Sequence, residues 1–338
     1  MKESTKIFID IYHLPQYNLF RNAIRQLGPE KVDLGCVNRG KLVDIIHHEC
    51  PEFNLFVYGD YKNNKGLFSM ATKIIIPRIY QLIKLFRKQN YSIIGAAGYQ
   101  ANVAAKILGI PNFSILDDPR AFILKLLKFS TKEIYLPPFG NNYGKVKHYN
   151  ALKEWAYLSP KYFNPSSKVL IEYKLESKSY IFIREVATNT TNYITQAKNI
   201  IQQLSKAIPN EIPVVLSLED KSQATKYPKT WIILKEPVSD IHSLMYYSKL
   251  VISTGDSMAR EGAMLGVQSI YMGNRDMPAN RILINLGVLK RKSVEESIIT
   301  IKDIFNGNNR SFNQNDFREK LKNDWEDVTQ LIVNKIKQ

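Results

Sequence analysis

The feature that most constrains this chain is an alternation, met twice, of short β-branched runs with longer stretches of helical period. Strands of a parallel sheet are buried on both faces and read as nearly continuous apolar runs, and each needs a crossover helix to reach the next. In the first half the runs at 7–11, 53–58, 92–95 and 112–116 predict strands, and the stretches at 16–27, 68–89, 99–108 and 119–129 predict helices. From about 136 to 178 the periodicity dissolves into Leu136-Pro-Pro-Phe-Gly140 and Leu158-Ser-Pro160, a cluster of chain breakers suited to an interdomain connection. The alternation then restarts, with strands predicted at 180–184, 213–218, 231–234, 250–253 and 269–272 and helices over 190–206, 240–247, 256–265, 279–286 and 293–305. A chain of 338 residues exceeds the size at which one core stops growing. The expectation is an α/β protein of two Rossmann-like, doubly wound parallel-sheet domains, 1–150 and 151–315. Phe317, Leu321, Trp325, Val328, Leu331, Ile332 and Ile336 recur at near-helical spacing, so 316–338 is expected to form one amphipathic helix packed back on the body.

Composition narrows the setting. Cys36 and Cys50 are the only cysteines, with no CxxC spacing, which argues against a disulfide framework or a zinc site and for a reducing compartment. Asp10 interrupts the N-terminal apolar run, and no segment approaches the about 20 apolar residues of a membrane span. A cytoplasmic protein is expected. The formal charge of +16 calls for an anionic partner and leans toward the first half, where residues 1–150 carry 21 basic against 11 acidic residues. No RNA-binding or DNA-binding signature accompanies it, so nucleic acid is not the expected partner.

The stretch Leu250-Val-Ile-Ser-Thr-Gly-Asp-Ser-Met-Ala-Arg-Glu-Gly-Ala-Met-Leu-Gly266 runs from a buried strand through a small turn into a helix. At such a turn the free amides and the positive end of the helix dipole converge, and a glycine lets a phosphate approach the main chain. Thr254, Gly255, Asp256, Ser257 and Met258 are therefore candidate contacts of a nucleotide sugar, with Asp256 and Ser257 able to cap the helix. Glu261, about one turn further in, is placed to accept hydrogen bonds from ribose hydroxyls. The same residue types start any capped helix, which is the plainer reading. Arg184 ends a strand of the second half, where ligands of open α/β sheets bind, and suits a diphosphate; an ion pair with Glu185 or another carboxylate is its structural alternative. In the first half Asp10 ends a strand, while Asp117 and Asp118 follow one. Asp10 and Asp118 are candidate proton acceptors, although Asp118-Pro119 also reads as an ordinary helix start.

Several of these residues together resemble the DUF354 family of GT-B-like proteins. The resemblance is carried by the 254–266 turn and helix, the following Ser269-Ile-Tyr-Met272, the opening Phe8-Ile-Asp-Ile-Tyr-His-Leu-Pro-Gln-Tyr-Asn-Leu-Phe20, Leu116-Asp-Asp-Pro119, Glu154-Trp-Ala-Tyr-Leu158 and Phe182-Ile-Arg-Glu185. It implies a GT-B architecture, with two domains facing a central cleft, related to UDP-N-acetylglucosamine 2-epimerases and MurG-type glycosyltransferases. It also implies a donor nucleotide, most readily a UDP-sugar, held mainly by the C-terminal domain. The chain departs from the family where a loop histidine precedes paired aromatics: here Tyr17-Asn18-Leu19-Phe20 stands, and His13 is the candidate substitute.

The leading reading is a metal-independent GT-B glycosyltransferase of cell-surface polysaccharide biosynthesis, with no cofactor beyond the nucleotide sugar. Tyr99, Gln100 and Asn102, at a helix start, are placed to contact a glycan or lipid-linked acceptor. An epimerase needs acids and a histidine converging on the sugar, and none of the five histidines lies in the turn region of the second domain, which ranks it second. The basic amphipathic segments 73–88 and 120–132 suit either an ordinary sheet-packed helix or peripheral contact with an anionic membrane. A polyanion-binding protein without catalysis is the third reading.

Overall fold

The computed structural model describes residues 6–60, 70–117, 123–137, 140–187, 196–235, 238, 240–307 and 313–338. The chain divides into two compact units, residues 1–157 with 325–338, and residues 158–324.

In the first unit β1 (Ile7–Ile11), β2 (Val32–Asn38), β3 (Asn54–Asp60), β4 (Ile93–Ala96), β5 (Asn112–Ile115), β6 (Glu133–Leu136) and β7 (Val146–His148) form one sheet in the order β3-β2-β1-β4-β5-β6-β7, every named pair parallel. Helices α1 (Leu14–Leu27), α2 (Leu42–Glu49), α3 (Ile76–Gln89), α4 (Gln100–Ile107) and α5 (Ile123–Ser130) connect the strands. A π-helical turn, Ala71–Ile75, leads into α3. Pro15 and Pro77 sit in the first turns of α1 and α3, where a missing amide leaves no intrahelical bond unmade. Ala101, Ala104 and Ala105 on α4 are buried against Leu82 and Phe86 of α3, so small residues on one helix admit large ones on the next.

The second unit repeats the design with β8 (Ile181–Glu185), β9 (Val214–Leu218), β10 (Ile232–Ile233), β11 (Leu250–Ser253), β12 (Ser269–Tyr271) and β13 (Leu289–Arg291), in the order β10-β9-β8-β11-β12-β13, again parallel throughout. After a short helix at Lys168–Tyr173, its helices among the described residues include α6 (Ile200–Ser205), α7 (Ile241–Tyr247), α8 (Asp256–Met264), α9 (Pro278–Asn285), α10 (Val294–Phe305) and α11 (Gln314–Asp324). Strands β8, β9 and β11 are buried along almost their whole length and fill one core with α6 and α10.

The expected single terminal helix is two. After α11 the chain breaks at Trp325–Asp327, and α12 (Val328–Lys337) belongs to the first unit. The break has a local cause, because the Asp327 carboxylate caps α12 by accepting from the Gln330 amide at 2.9 Å. The α12 register is then fixed within the first unit by Thr329 donating to the Ala156 carbonyl at 2.7 Å and by Trp325 packing edge-on against Trp155.

Each sheet reverses its strand order once, between β1 and β4 and between β8 and β11. Ligands of open parallel sheets bind in the crevice beyond the carboxyl ends of the strands at such a reversal.

Candidate functional site

At the reversal of the second sheet, Arg184 is the fourth residue of β8 and lies opposite Ser253, the last residue of β11. The turn that follows is stitched to it: the Thr254 amide donates to the Arg184 carbonyl at 3.0 Å, and the Thr254 hydroxyl accepts from the Val186 amide at 3.0 Å. The Arg184 guanidinium donates to Ser217 Oγ at 2.9 Å and stands 3.8 Å from Glu219. Glu185 is held by the Tyr227 hydroxyl, and the carboxylate that approaches Arg184 is Glu219, so the ion-pair alternative is met by a residue of the neighbouring strand end.

The helix start differs in detail from the expectation. Gly255, not Asp256 or Ser257, is the N-cap of α8, and no side chain caps it. Ser253 holds the turn, since its Oγ accepts from the Gly255 amide at 3.0 Å and donates to the Gly255 carbonyl at 2.6 Å. Asp256 becomes the first helical residue, and its Oδ1 accepts from the Ser257 amide at 3.1 Å. A buried carboxylate here would oppose an anion, but two arginines share its other oxygen: Arg275 at 3.0 Å and the fully buried Arg260 at 3.6 Å. Arg260 also donates to Asn280 Oδ1 at 3.1 Å. The three ionised groups sum to one positive charge at the positive end of a helix, which suits a phosphate. Gly262 seats this helix, because a Cβ there would lie 2.7 Å from Ser269 Oγ and 2.8 Å from Val251 Cγ1.

Glu261 is 5% exposed, and its Oε2 lies 3.4 Å from Nε2 of His242 on the neighbouring helix α7. The expectation that no histidine approaches this region is therefore corrected. His242 is 19 residues away in sequence, and packing of α7 on α8 alone brings it in. Arg275 was invisible for the same reason, whereas Arg260 stands one helical turn from Asp256 and was open to an i,i+4 reading.

The first sheet carries a different set of groups at its reversal. Asp10 is the fourth residue of β1, opposite Ala96, the last residue of β4. It is 1% exposed and accepts a short hydrogen bond from the Tyr58 hydroxyl. Burial raises its carboxyl to about 7, against the opposing pull of that bond and of Arg78. Burial and Asp10 push the Cys36 thiol up to about 12, keeping it protonated. Arg78 donates to the Tyr12 hydroxyl at 3.3 Å and to the Asp60 carbonyl, and the Tyr12 ring lies under both Arg78 and Arg39. His13 is the N-cap of α1 by its backbone alone. Its imidazole is lowered to about 4, first by burial and then by Lys153 and Arg39, and Nδ1 has no hydrogen-bond partner. It is neutral at physiological pH.

On the β4 side, Asn102 Nδ2 donates to the Gly98 carbonyl at 2.8 Å, while the buried Asn102 Oδ1 and Gln100 Oε1 have no donor among the described residues. Gln16 ties this loop to the one after β1, accepting from the Tyr12 amide at 2.6 Å and donating to the Ala97 carbonyl at 3.1 Å. Burial raises the Tyr99 phenol, and Tyr12 and Arg78 are near enough to act on it. Asp117 forms an ion pair with Lys153. Asp118, the other proposed proton acceptor, lies outside the described residues. The structure thus gathers Asp10, His13, Tyr99, Gln100 and Asn102 about one reversal and Arg184, Thr254, Gly255, Asp256, Ser257, Met258 and Glu261 about the other.

Two parallel-sheet units built this way define a GT-B fold, and solved structures of that fold align over nearly the whole chain. S. aureus MnaA, solved with UDP, matches with a TM-score of 0.70 at 14% identity, covering 98% of this chain and 96% of that one. The UDP-GlcNAc 2-epimerase of Methanocaldococcus jannaschii, in complex with UDP-GlcNAc and UDP, matches at 0.70 and 13% identity over 98% and 99%. Acinetobacter baumannii MurG matches at 0.55 and 12% over 98% and 99%. By sequence, residues 125–338 match the family described as "Protein of unknown function (DUF354)", and the chain belongs to it. No curated protein matches the chain.

Proposed function

We propose that the protein is a glycosyltransferase of GT-B type whose second unit binds the diphosphate of a nucleotide sugar and whose first unit binds the acceptor. The observation that carries the reading is the tie between the Arg184 backbone and the Thr254 turn, which joins the end of β8 to the start of α8 with its net positive Arg260-Asp256-Arg275 cluster. Arginine and helix dipole together neutralise a leaving diphosphate without a metal. UDP is the preferred nucleotide because the MnaA and M. jannaschii structures are complexes with it. Glu261 is the candidate ribose contact, held in place by His242.

On the acceptor side, the unpartnered atoms of Gln100 and Asn102 suit the hydroxyls of a sugar, and His13 is the group that takes the proton from the attacking one. An acceptor carrying an anionic group would raise the His13 imidazole toward neutrality and improve it as a base. We read the acceptor as a glycan or lipid-linked sugar of cell-surface polysaccharide assembly.

One observation favours a sugar-nucleotide 2-epimerase as the second reading: the His242-Glu261 pair supplies the histidine in the second unit that such chemistry calls for. The two separate in one experiment. UDP-N-acetylglucosamine is incubated with the protein in D2O and followed by proton NMR, with and without a mixture of acceptor glycans. UDP release that depends on acceptor supports the transferase, and loss of the C2 proton signal in favour of a 2-epimer without acceptor supports the epimerase. An unchanged spectrum with UDP, GDP and CDP sugars alike counts against both.

A further inference from the structure

We propose that the outer face of α4 and α5 in the first unit docks on an anionic lipid surface. The observation is a coincidence of two distributions. Residues 61–153, little over a quarter of the chain, hold 15 Lys and Arg against 3 Asp and Glu, and so account for +12 of the net +16. The same stretch holds seven of the twelve large hydrophobic side chains exposed among the described residues: Met70, Ile76, Tyr80, Ile107, Leu126, Phe129 and Tyr143. Exposed apolar groups scattered singly need no explanation, but grouped ones within a field of one charge sign do.

The two sets meet side by side at the end of α5. Phe129 is 70% exposed, and Lys106 of α4 lays its ammonium 3.3 Å from the centre of that ring while donating to the Phe129 carbonyl at 2.7 Å. Lys128 stands over the Tyr143 ring at 5.1 Å, and Lys145 donates to the Lys128 carbonyl at 2.9 Å. Leu126, 40% exposed, lies one turn before Phe129 on the same helix. The inward positions Leu124 and Leu127 are buried, so packing on the sheet accounts for that face of α5, while Leu126 and Phe129 on the other are exposed.

The chemistry of the face selects its occupant. Lysines with apolar stems beside an exposed phenylalanine and aliphatic side chains match the boundary between lipid headgroups and acyl chains, where the ring and the leucine enter and the ammonium groups stay at the phosphates. Nucleic acid would gain from arginines and from stacking rings but not from Ile107 or Leu126. No helix of the described residues is long and apolar enough to cross a membrane, so the contact would lie in the surface plane.

The test is co-sedimentation of the full chain with vesicles of phosphatidylcholine alone and of phosphatidylcholine mixed with phosphatidylglycerol. Binding is expected to the mixed vesicles only and to be released by salt. Lys128→Glu should lower the partition by at least about fivefold, the factor for one basic residue at such a surface. Phe129→Ser should lower it comparably without changing the melting temperature, since the side chain is exposed. Ile171→Ser, at an exposed isoleucine of the second unit, serves as the control and should bind as the wild type. Equal binding to both vesicle types, no binding to either, or wild-type binding by both first-unit variants would overturn the proposal. So would a Lys128-dependent complex with an RNA oligonucleotide formed in preference to vesicles.

Discussion

The two sheets place opposite charges at equivalent points. Asp10 and Arg184 are each the fourth residue of a five-residue strand at the centre of a sheet, and each faces the last residue of the strand across the reversal, Ala96 in one unit and Ser253 in the other. Their surroundings differ as much as their charges. The Arg184 guanidinium lies between Ser217 and Glu219, and the helix start across the reversal is made net positive by Arg260 and Arg275. Asp10 is sealed under Tyr58, with its carboxyl raised to about 7, and His13 at the start of the following helix is held neutral. One reversal thus carries a net positive cluster, and the other a buried carboxyl raised to about 7. The same fold element thus holds its charged residue in two environments that differ in how far that residue is desolvated.

The contrast is broken most directly through the two buried acids. Asp256→Ala strands the fully buried Arg260 without its carboxylate, and chemical denaturation should show a loss of about 3–5 kcal/mol, the range for removing one partner of a buried pair. Asp10→Asn should do the reverse at neutral pH. The folded carboxyl at about 7 lies above its ordinary 3.8, so its stabilising contribution is complete below pH 3.8 and is lost as pH rises to about 7. The asparagine variant should therefore gain on wild type across that window, by an amount on the order of a few kcal/mol. His13→Gln sharpens the point from the other side. An imidazole lowered from 6.5 to about 4 contributes stability that is complete above 6.5 and is lost as pH falls to about 4, so the variant should lack that rise. Denaturation midpoints measured from pH 4 to 8 in all three proteins would contradict the account if the slopes of the Asp10 and His13 variants moved in the same direction.

A smaller effect separates the glycines of the two reversals. Gly262→Ala drives a methyl to within 3 Å of Ser269 and Val251 and should cost about 1–3 kcal/mol of stability, as overpacking does. In Gly98→Ala the methyl would stand 3.7 Å from Asp10 Oδ2, an ordinary contact, and the change should stay within about 0.5 kcal/mol. Comparable losses in both would mean that α8 is no more tightly seated than the loop after β4.

The buried parallel strands were legible because burial on both faces leaves little freedom of residue type: 7–11 and 250–253 are strands as read. Strand β2 was not, since Asp33 and Gly35 interrupt its apolar run. Asp33 is accommodated only by tertiary partners, Lys6, Asn54 and Tyr91, and Gly35 only by the ring of Phe8. The short strands β6, β7 and β13 offer three or four residues each, too few for a period to show. The turn at 254–258 was visible because a strand, a small turn and a helix follow one another in the chain. What the sequence did not display was every contact assembled across elements: His242 on Glu261, Arg275 on Asp256, Tyr58 on Asp10. The break before α12 hides behind a continuous apolar period, and only the cap at Asp327 marks it.

The central claim is that the reversal at Arg184 is a nucleotide diphosphate site, and calorimetric titration of UDP into the wild type and Arg184→Ala tests it. The account predicts a saturable isotherm for the wild type and an affinity lower by about ten- to a hundredfold in the variant, the worth of a hydrogen bond to a charged group. A wild type that binds neither UDP, GDP nor CDP while folded, or an Arg184→Ala variant that binds as tightly as wild type, would contradict it.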